Sequence, residues 1–189
     1  MKSLTPLDFY FAGPDVESPH RYQPGGYHPV HIGDVYRERY RVIHKLGFGT
    51  YSTVWLAHDL HSTTPHHSGP RPLTTPPPCS RYVALKFIVA ELTGRNNEIK
   101  IHHRLALQSG THPGSDRVLA LLDHFKVQGP NGEHDVLVSQ VVGPHLGAIF
   151  DSEPSVIHQA IKPLAHQITL GISFLHHRGV VHAGQSLTL

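Results

Sequence analysis

The segment Tyr40–Ala57 constrains this chain more than any other stretch. Tyr40–Leu46 reads as a strand, and it runs into Gly47 and Gly49. Without a Cβ, these two residues let the backbone take conformations and close approaches that others avoid. Ser52 stands where a third glycine would complete the pattern G-x-G-x-x-G. The next residues, Thr53-Val54-Trp55-Leu56-Ala57, are again β-prone, with no helix cap and no helical period. A glycine turn that opens a helix is thereby excluded. The prediction is strand, glycine turn, strand. An ordinary β-hairpin shares this local pattern, so the discriminating signal lies further along the chain.

That signal is Lys86 inside the apolar run Tyr82–Val89, where Val83-Ala84-Leu85-Lys86 reads as a strand. A lysine in such a strand is costly to bury without a partner. Residues 96–107 read as a helix capped by Asn96 or Asn97, with Ile101 and Leu105 one turn apart and expected to face the sheet. Glu98 lies near that face and is the expected partner of Lys86. The alternative for Glu98 is a solvated acid favoured by the helix dipole. A glycine-rich hairpin followed by a strand lysine and a helix glutamate is the order that covers and pairs nucleotide phosphates.

Leu46-Gly47-x-Gly49-x-x-Ser52-Thr53-Val54-Trp55-Leu56-Ala57 resembles the SR-protein kinase family, with Ser for the third Gly and Trp after Val. The lead-in Tyr22–Asp34 is similar to that of the family's fungal members. Val141-Val142-Gly143-Pro144 is similar to its hinge, and Gln167–His182 to its long helix and the run into the catalytic loop. The resemblance covers residues 22–182 with one insertion. It implies an α+β fold: a kinase-like small lobe of five antiparallel strands plus helix C, and only the first helices of the large lobe. It implies an ATP- and magnesium-using serine kinase of Arg-Ser-rich proteins. By position, Leu46, Gly47, Phe48, Gly49, Thr50, Tyr51, Ser52, Thr53, Val54, Ala84 and Lys86 would bind ATP, and Glu98 would orient Lys86. Ser139 would be the gatekeeper, and Gln140, Val141 and Val142 would offer hinge hydrogen bonds to adenine.

The pattern departs from the family at its end. His182 matches the histidine of the catalytic loop, but Gly184 takes the place of the proton-accepting Asp. No Asp or Glu follows Glu153 and no Asn occurs in Gln185–Leu189, so neither the magnesium-binding Asn nor the Asp-Phe-Gly motif has a counterpart. The expectation is an ATP-binding chain without phosphotransfer, and without the magnesium ligands of a complete kinase. A pseudokinase and a non-enzymatic interaction module are the alternatives. The absence of a carboxylate beside His182 favours a structural role for that residue.

Four divisions are expected: an arm at 1–21, an extended lead-in at 22–39, the small lobe at 40–142, and the start of the large lobe at 143–189. Residues 59–80, rich in Pro, Thr and His, read as a disordered insertion between two strands, where added length is tolerated. Asn131-Gly132 marks a turn between two strands, Val118–Phe125 and Asp135–Gln140. From Ser155, Ile157, Ile161, Leu164, Ile168, Ile172 and Leu175 form an apolar helical stripe, and Pro163 predicts a kink or the true helix start. An exposed stripe over 155–178 predicts a protein partner.

Nineteen His residues invite a metal hypothesis, but His58, His61, His66 and His67 lie largely in a Pro-rich loop without a cysteine pair, so no metal site is expected. A net charge of +2 gives no field for direct nucleic-acid binding. The single Cys79 excludes an internal disulfide. No run approaches the ~20 apolar residues of a membrane span. A cytoplasmic or nuclear protein is the resulting expectation.

Overall fold

The computed structural model describes residues 16–61, 82–106, 112–143 and 154–181, with side chains from 161 onward in the last stretch. Of the insertion expected at 59–80, residues 62–80 lie outside the described residues, as do His182 and Gly184, whereas Asp59 is the buried last residue of a strand. The chain divides into two compact units, Met1–Asn96 with Leu122–Gln140, and Asn97–Leu121 with Val141–Leu189.

The first unit is a six-stranded sheet in the order β1-β2-β3-β4-β6-β5. Its strands are β1 (Val35–Tyr36), β2 (Tyr40–Gly49), β3 (Ser52–Asp59), β4 (Tyr82–Ile88), β5 (Leu121–Gly129) and β6 (Gly132–Gln140). Five of them are those expected. The sixth, β1, is two residues of the lead-in added to the edge of β2, too short to carry a periodic signal. β2, β3, β4 and β6 pair antiparallel in succession. The turn between β5 and β6 falls on Pro130-Asn131, and Gly132 takes φ +126°, a backbone conformation open to glycine.

One face of this sheet builds the core, from Tyr40, Val42, Trp55, Ala57, Val83, Leu85, Phe87, Phe125, Val136 and Val138, with Val30 from the lead-in. The polar ends of core residues are satisfied. Tyr40 donates to Asp123 at 2.9 Å, and Trp55 Nε1 donates to Thr53 Oγ1 at 3.1 Å. Asp59, the last residue of β3, accepts two 2.8 Å bonds from Arg39, a bidentate fork. Arg39 also lies 4.8 Å from the Tyr40 ring centre.

Of the stretch read as an arm, residues 1–15 lie outside the described residues, whereas residues 16–21 pack onto the sheet. Glu17 is buried and bonds to Tyr22 and Lys45, and Pro19–Arg21 form one 3₁₀ turn. Burial raises the Glu17 carboxyl, but hydrogen bonds from Lys45 and then Tyr22 together hold it below its ordinary range.

In the second unit, α1 (Glu98–Ala106) starts where the Asn97 carbonyl accepts a 2.9 Å bond from the Ile101 N–H. Leu105 is buried as expected, but Ile101 is 38% exposed and lines a cavity of about 320 Å³ with Lys100 and Arg104. The helix α2 (Pro154–His177) runs through Pro163, which is neither its start nor its end. Proline opens it at the first position, where a missing N–H costs nothing. It ends in a Schellman motif: Gly179 takes φ +66°, its N–H bonds to the His176 carbonyl at 2.8 Å, and the Val180 N–H bonds to Leu175 at 2.9 Å.

The buried side of α2 is centred on Gly171 and Phe174 rather than on the whole predicted stripe. Ile161 is 51% exposed, and Leu164, Ile168, Ile172 and Leu175 are half-buried. Residues 112–117 cover that side. A Cβ on Gly114 would stand 1.9 Å from the Leu170 carbonyl oxygen, so only glycine lets the two backbones come this close. His112 packs against Phe174 with ring centres 5.6 Å apart. No described helix is long and apolar enough to cross a membrane.

Candidate functional site

The strand register assigns each sequence-selected residue to a face. Residues opposite one another in an antiparallel pair share a face, and neighbours along a strand alternate. Gly47 faces Val54 across β2–β3, Val54 faces Lys86 across β3–β4, and Lys86 faces Leu137 across β4–β6. A second row runs Leu56, Ala84, Ser139. Gly49 pairs with Ser52, two residues from Gly47 and Val54. Gly47, Gly49, Ser52, Val54, Ala84, Lys86 and Ser139 therefore share one face, opposite the core face of Trp55, Leu85 and Val138.

A Cβ built on Gly47 or on Gly49 would meet nothing within 4 Å, and neither residue has a positive φ. The protein's own packing and backbone do not demand glycine at either position. Their missing side chains leave open space on the Lys86 face.

Not every residue of the 46–54 run presents its side chain there. Phe48 pairs with Thr53, on the core-side parity. Thr53 is fully buried and accepts the Trp55 indole N–H, so toward the Lys86 face it can offer only backbone. Leu46, Phe48 and Tyr51 are exposed, as is Thr50 in the turn. Ala84 is buried, and Val54 and Lys86 are half-buried.

Lys45 was not singled out by the sequence reading. β-Bulges between Val42 and His44 and between Lys45 and Gly47 turn it to the core face. Its ammonium there bonds to Glu17 and lies 5.2 Å from the Trp55 ring centre. Leu137, also unselected, is buried beside Lys86 in the first row. Its signal was available in the β6 run Val136–Val138, but only the register says which of those residues shares a face with Lys86.

At the end of β6, Ser139 is half-buried and donates to the Gln140 carbonyl at 3.3 Å. Gln140 pairs with Val83, and Val141 and Val142 follow as exposed, irregular chain. Glu98 is the first residue of α1 and half-buried. Among the described residues no group of three His, Cys, Asp or Glu could hold a metal ion.

A glycine-rich hairpin, a lysine on the following strand, a helix after that strand and a two-strand return describe the small lobe of a protein kinase. No protein-family model matches the chain. Curated relatives do. A serine/threonine-protein kinase named SKY1 from Saccharomyces cerevisiae is 34% identical over 179 residues, covering 88% of this chain and 21% of its own length. Protein kinase dsk1 of Schizosaccharomyces pombe is 33% identical, over 88% of this chain and 29% of its own. Human SRSF protein kinase 3 is 32% identical, over 86% and 26%. The chain is a homologue of the SR-protein kinases. It spans between about a seventh and two fifths of the length of the curated relatives it matches.

Proposed function

We propose that this chain is the ATP-binding small lobe of a serine/threonine kinase of the SR-protein kinase type, whose family substrates are Arg-Ser-rich proteins. The observation that carries the reading is that both glycines fall on the face of Lys86, where a side chain would find only open space. Glycine at positions where the protein's own packing and backbone do not need it leaves the hairpin backbone open to the close approach of a ligand.

In this reading Gly47 and Gly49 admit the phosphates under the β2–β3 hairpin, and Lys86 neutralises their charge. Glu98 is the residue to which the family pattern assigns the orienting of that lysine. Val54, Ala84 and Leu137 form the apolar floor for adenine, Ser139 borders it, and the backbone of Gln140, Val141 and Val142 supplies hydrogen bonds. When bound, ATP with magnesium supplies the transferable phosphoryl group. Residues 46–54 and 84–86 bind and orient, and they exclude water from that group.

Orientation is one part of the chemistry. Transfer also needs a carboxylate to accept the substrate hydroxyl proton and acidic or amide ligands for magnesium. Within residues 1–189 the first of these positions holds Gly184, and no acid follows Glu153. The 189 residues alone are thus expected to bind nucleotide without transferring phosphate, in a cytoplasmic or nuclear setting.

A fluorescent ATP analogue titrated into the wild-type chain and into Lys86→Ala tests the site. Losing an ion pair to phosphate is expected to weaken binding at least about tenfold. Equal affinity of the two proteins would refute the assignment. Radiolabel transfer to an Arg-Ser peptide by the wild-type chain that vanishes in Lys86→Ala would refute the absence of catalysis.

A further inference from the structure

The glycine-rich hairpin does not stand free at its tip. Three successive backbone carbonyls are occupied: Gly49 accepts from the Tyr27 hydroxyl at 2.9 Å, Thr50 from Arg21 Nη2 at 2.7 Å, and Tyr51 from the Val89 N–H at 3.0 Å. Two of the three donors are side chains from before the sheet, Arg21 at the end of the arm and Tyr27 in the lead-in. We propose that Arg21 and Tyr27 are positioning residues that clamp the tip of the glycine-rich hairpin and thereby set its affinity for the nucleotide phosphates. This role rests on the ATP-site reading above.

The clamp is built to be rigid. Residues 21–27 close a loop on themselves, with the Tyr27 N–H bonded to the Arg21 carbonyl at 2.9 Å and the Gly26 N–H to Gln23 at 2.8 Å. A Cβ on Gly26 would lie 1.9 Å from the Arg21 carbonyl oxygen, so the loop closes only with glycine there. Closure places the Arg21 guanidinium 5.2 Å from the Tyr27 ring centre, a cation–π distance. Tyr27 is 4% exposed, and Tyr22 packs edge-on against it.

The base of the loop is tied to residues outside the hairpin. Asn131 receives the Gly25 N–H at 2.8 Å and donates its side-chain amide to the Tyr27 carbonyl at 2.7 Å. The Ala90 and Glu91 N–H groups bond to Gly26 and Gly25 at 3.1 and 2.9 Å. Lys45, Glu17 and Tyr22 brace the same loop against β2, one residue before Leu46.

The consequence follows from peptide planarity. In a trans peptide the C=O and the next residue's N–H point in opposite directions. Holding the Gly49 and Thr50 carbonyls toward the lead-in fixes the Thr50 and Tyr51 N–H groups away from it, as two oriented donors at the tip. A hairpin of Gly47 and Gly49 has high backbone freedom, and ordering it on binding would subtract from affinity. The clamp orders the tip beforehand. An arginine and a tyrosine from outside the hairpin do this without placing any side chain in the space the glycines leave.

The test compares the wild-type chain with Tyr27→Phe, which keeps the buried ring, and with Arg21→Ala. Amide hydrogen exchange is read over residues 46–56, with β4 and β6 as internal controls, and affinity is read with a fluorescent ATP analogue. The expected result is faster exchange at the tip, unchanged exchange in β4 and β6, and affinity weakened about three- to tenfold in each variant. Unchanged tip exchange in both variants would overturn the clamp. Faster exchange with unaltered affinity would overturn its positioning role. No binding by the wild-type chain would instead remove the ATP-site reading together with this role, whereas equal binding by all three proteins removes the role alone.

Discussion

Acidification should unfold the sheet unit through one buried histidine pair. His28 is 7% exposed and His134 fully buried, with ring centres 4.8 Å apart. His28 stacks on Phe87 of β4 and meets Tyr36 of β1 edge-on. His134 lies 2.9 Å from the Ile88 carbonyl through Nδ1, and because a carbonyl only accepts, that nitrogen carries the proton. Burial first, and then the neighbouring His134, take His28 from 6.5 down to about 4, against a weaker opposing pull from Asp34. Burial lowers His134 as well. A lowered native value means that the unfolded chain binds more protons, so stability is full above pH 6.5 and falls as pH drops toward 4. A shift from 6.5 to about 4 amounts to about 3 kcal/mol at its limit, and about 2 kcal/mol of that is lost by pH 5.

Glu17 and Asp59 have lowered values, so their contributions vanish only at more acidic pH. Urea unfolding followed by fluorescence of Trp55, the single tryptophan and a core residue of this unit, gives the measurement. Between pH 7 and 5 the wild-type midpoint is expected to fall on the order of 1 M. In His28→Phe, which keeps a ring but cannot titrate, the part of that fall that comes from His28 should disappear, leaving the part that comes from the burial of His134. The same pH slope in both proteins would refute the reasoning, as would a wild-type midpoint that is flat or rises on acidification.

Arg39→Ala leaves the buried Asp59 carboxylate, among the described residues, with the His61 N–H as its hydrogen-bond donor, and should cost about 1–3 kcal/mol in urea unfolding. Its acid limb should also change, because the Arg39 fork is what lowers Asp59, and the stability tied to that carboxylate is lost as pH falls through its lowered value. Gly47→Val should leave the melting temperature of the sheet unit within a few degrees while weakening ATP-analogue binding at least about tenfold, because only a ligand competes for that space. Gly114→Ala should destabilise the second unit by at least about 1–3 kcal/mol, seen as faster hydrogen exchange in α2, because the Cβ would collide with the Leu170 carbonyl.

The strands β2, β3 and β4, the hairpin that joins β2 to β3, a turn within one residue of Asn131-Gly132 and the two helices were legible in the sequence, because each is specified by neighbours a few residues apart. Apolar period, a missing Cβ and turn chemistry act locally, and they place Lys86 in a strand whatever the rest of the chain does. Tertiary structure decided the rest through contacts far apart in sequence. The register across four strands put Gly47, Gly49 and Lys86 on one face, and the two bulges carried Lys45 to the opposite one. Pro163 stayed inside α2 because the missing hydrogen bond is a local cost that helix packing outweighs. The lead-in showed no periodic pattern from which its docking could be read. Arg21 and Tyr27 reach the hairpin tip only because Gly26 closes their loop and Asn131, more than a hundred residues away, holds its base.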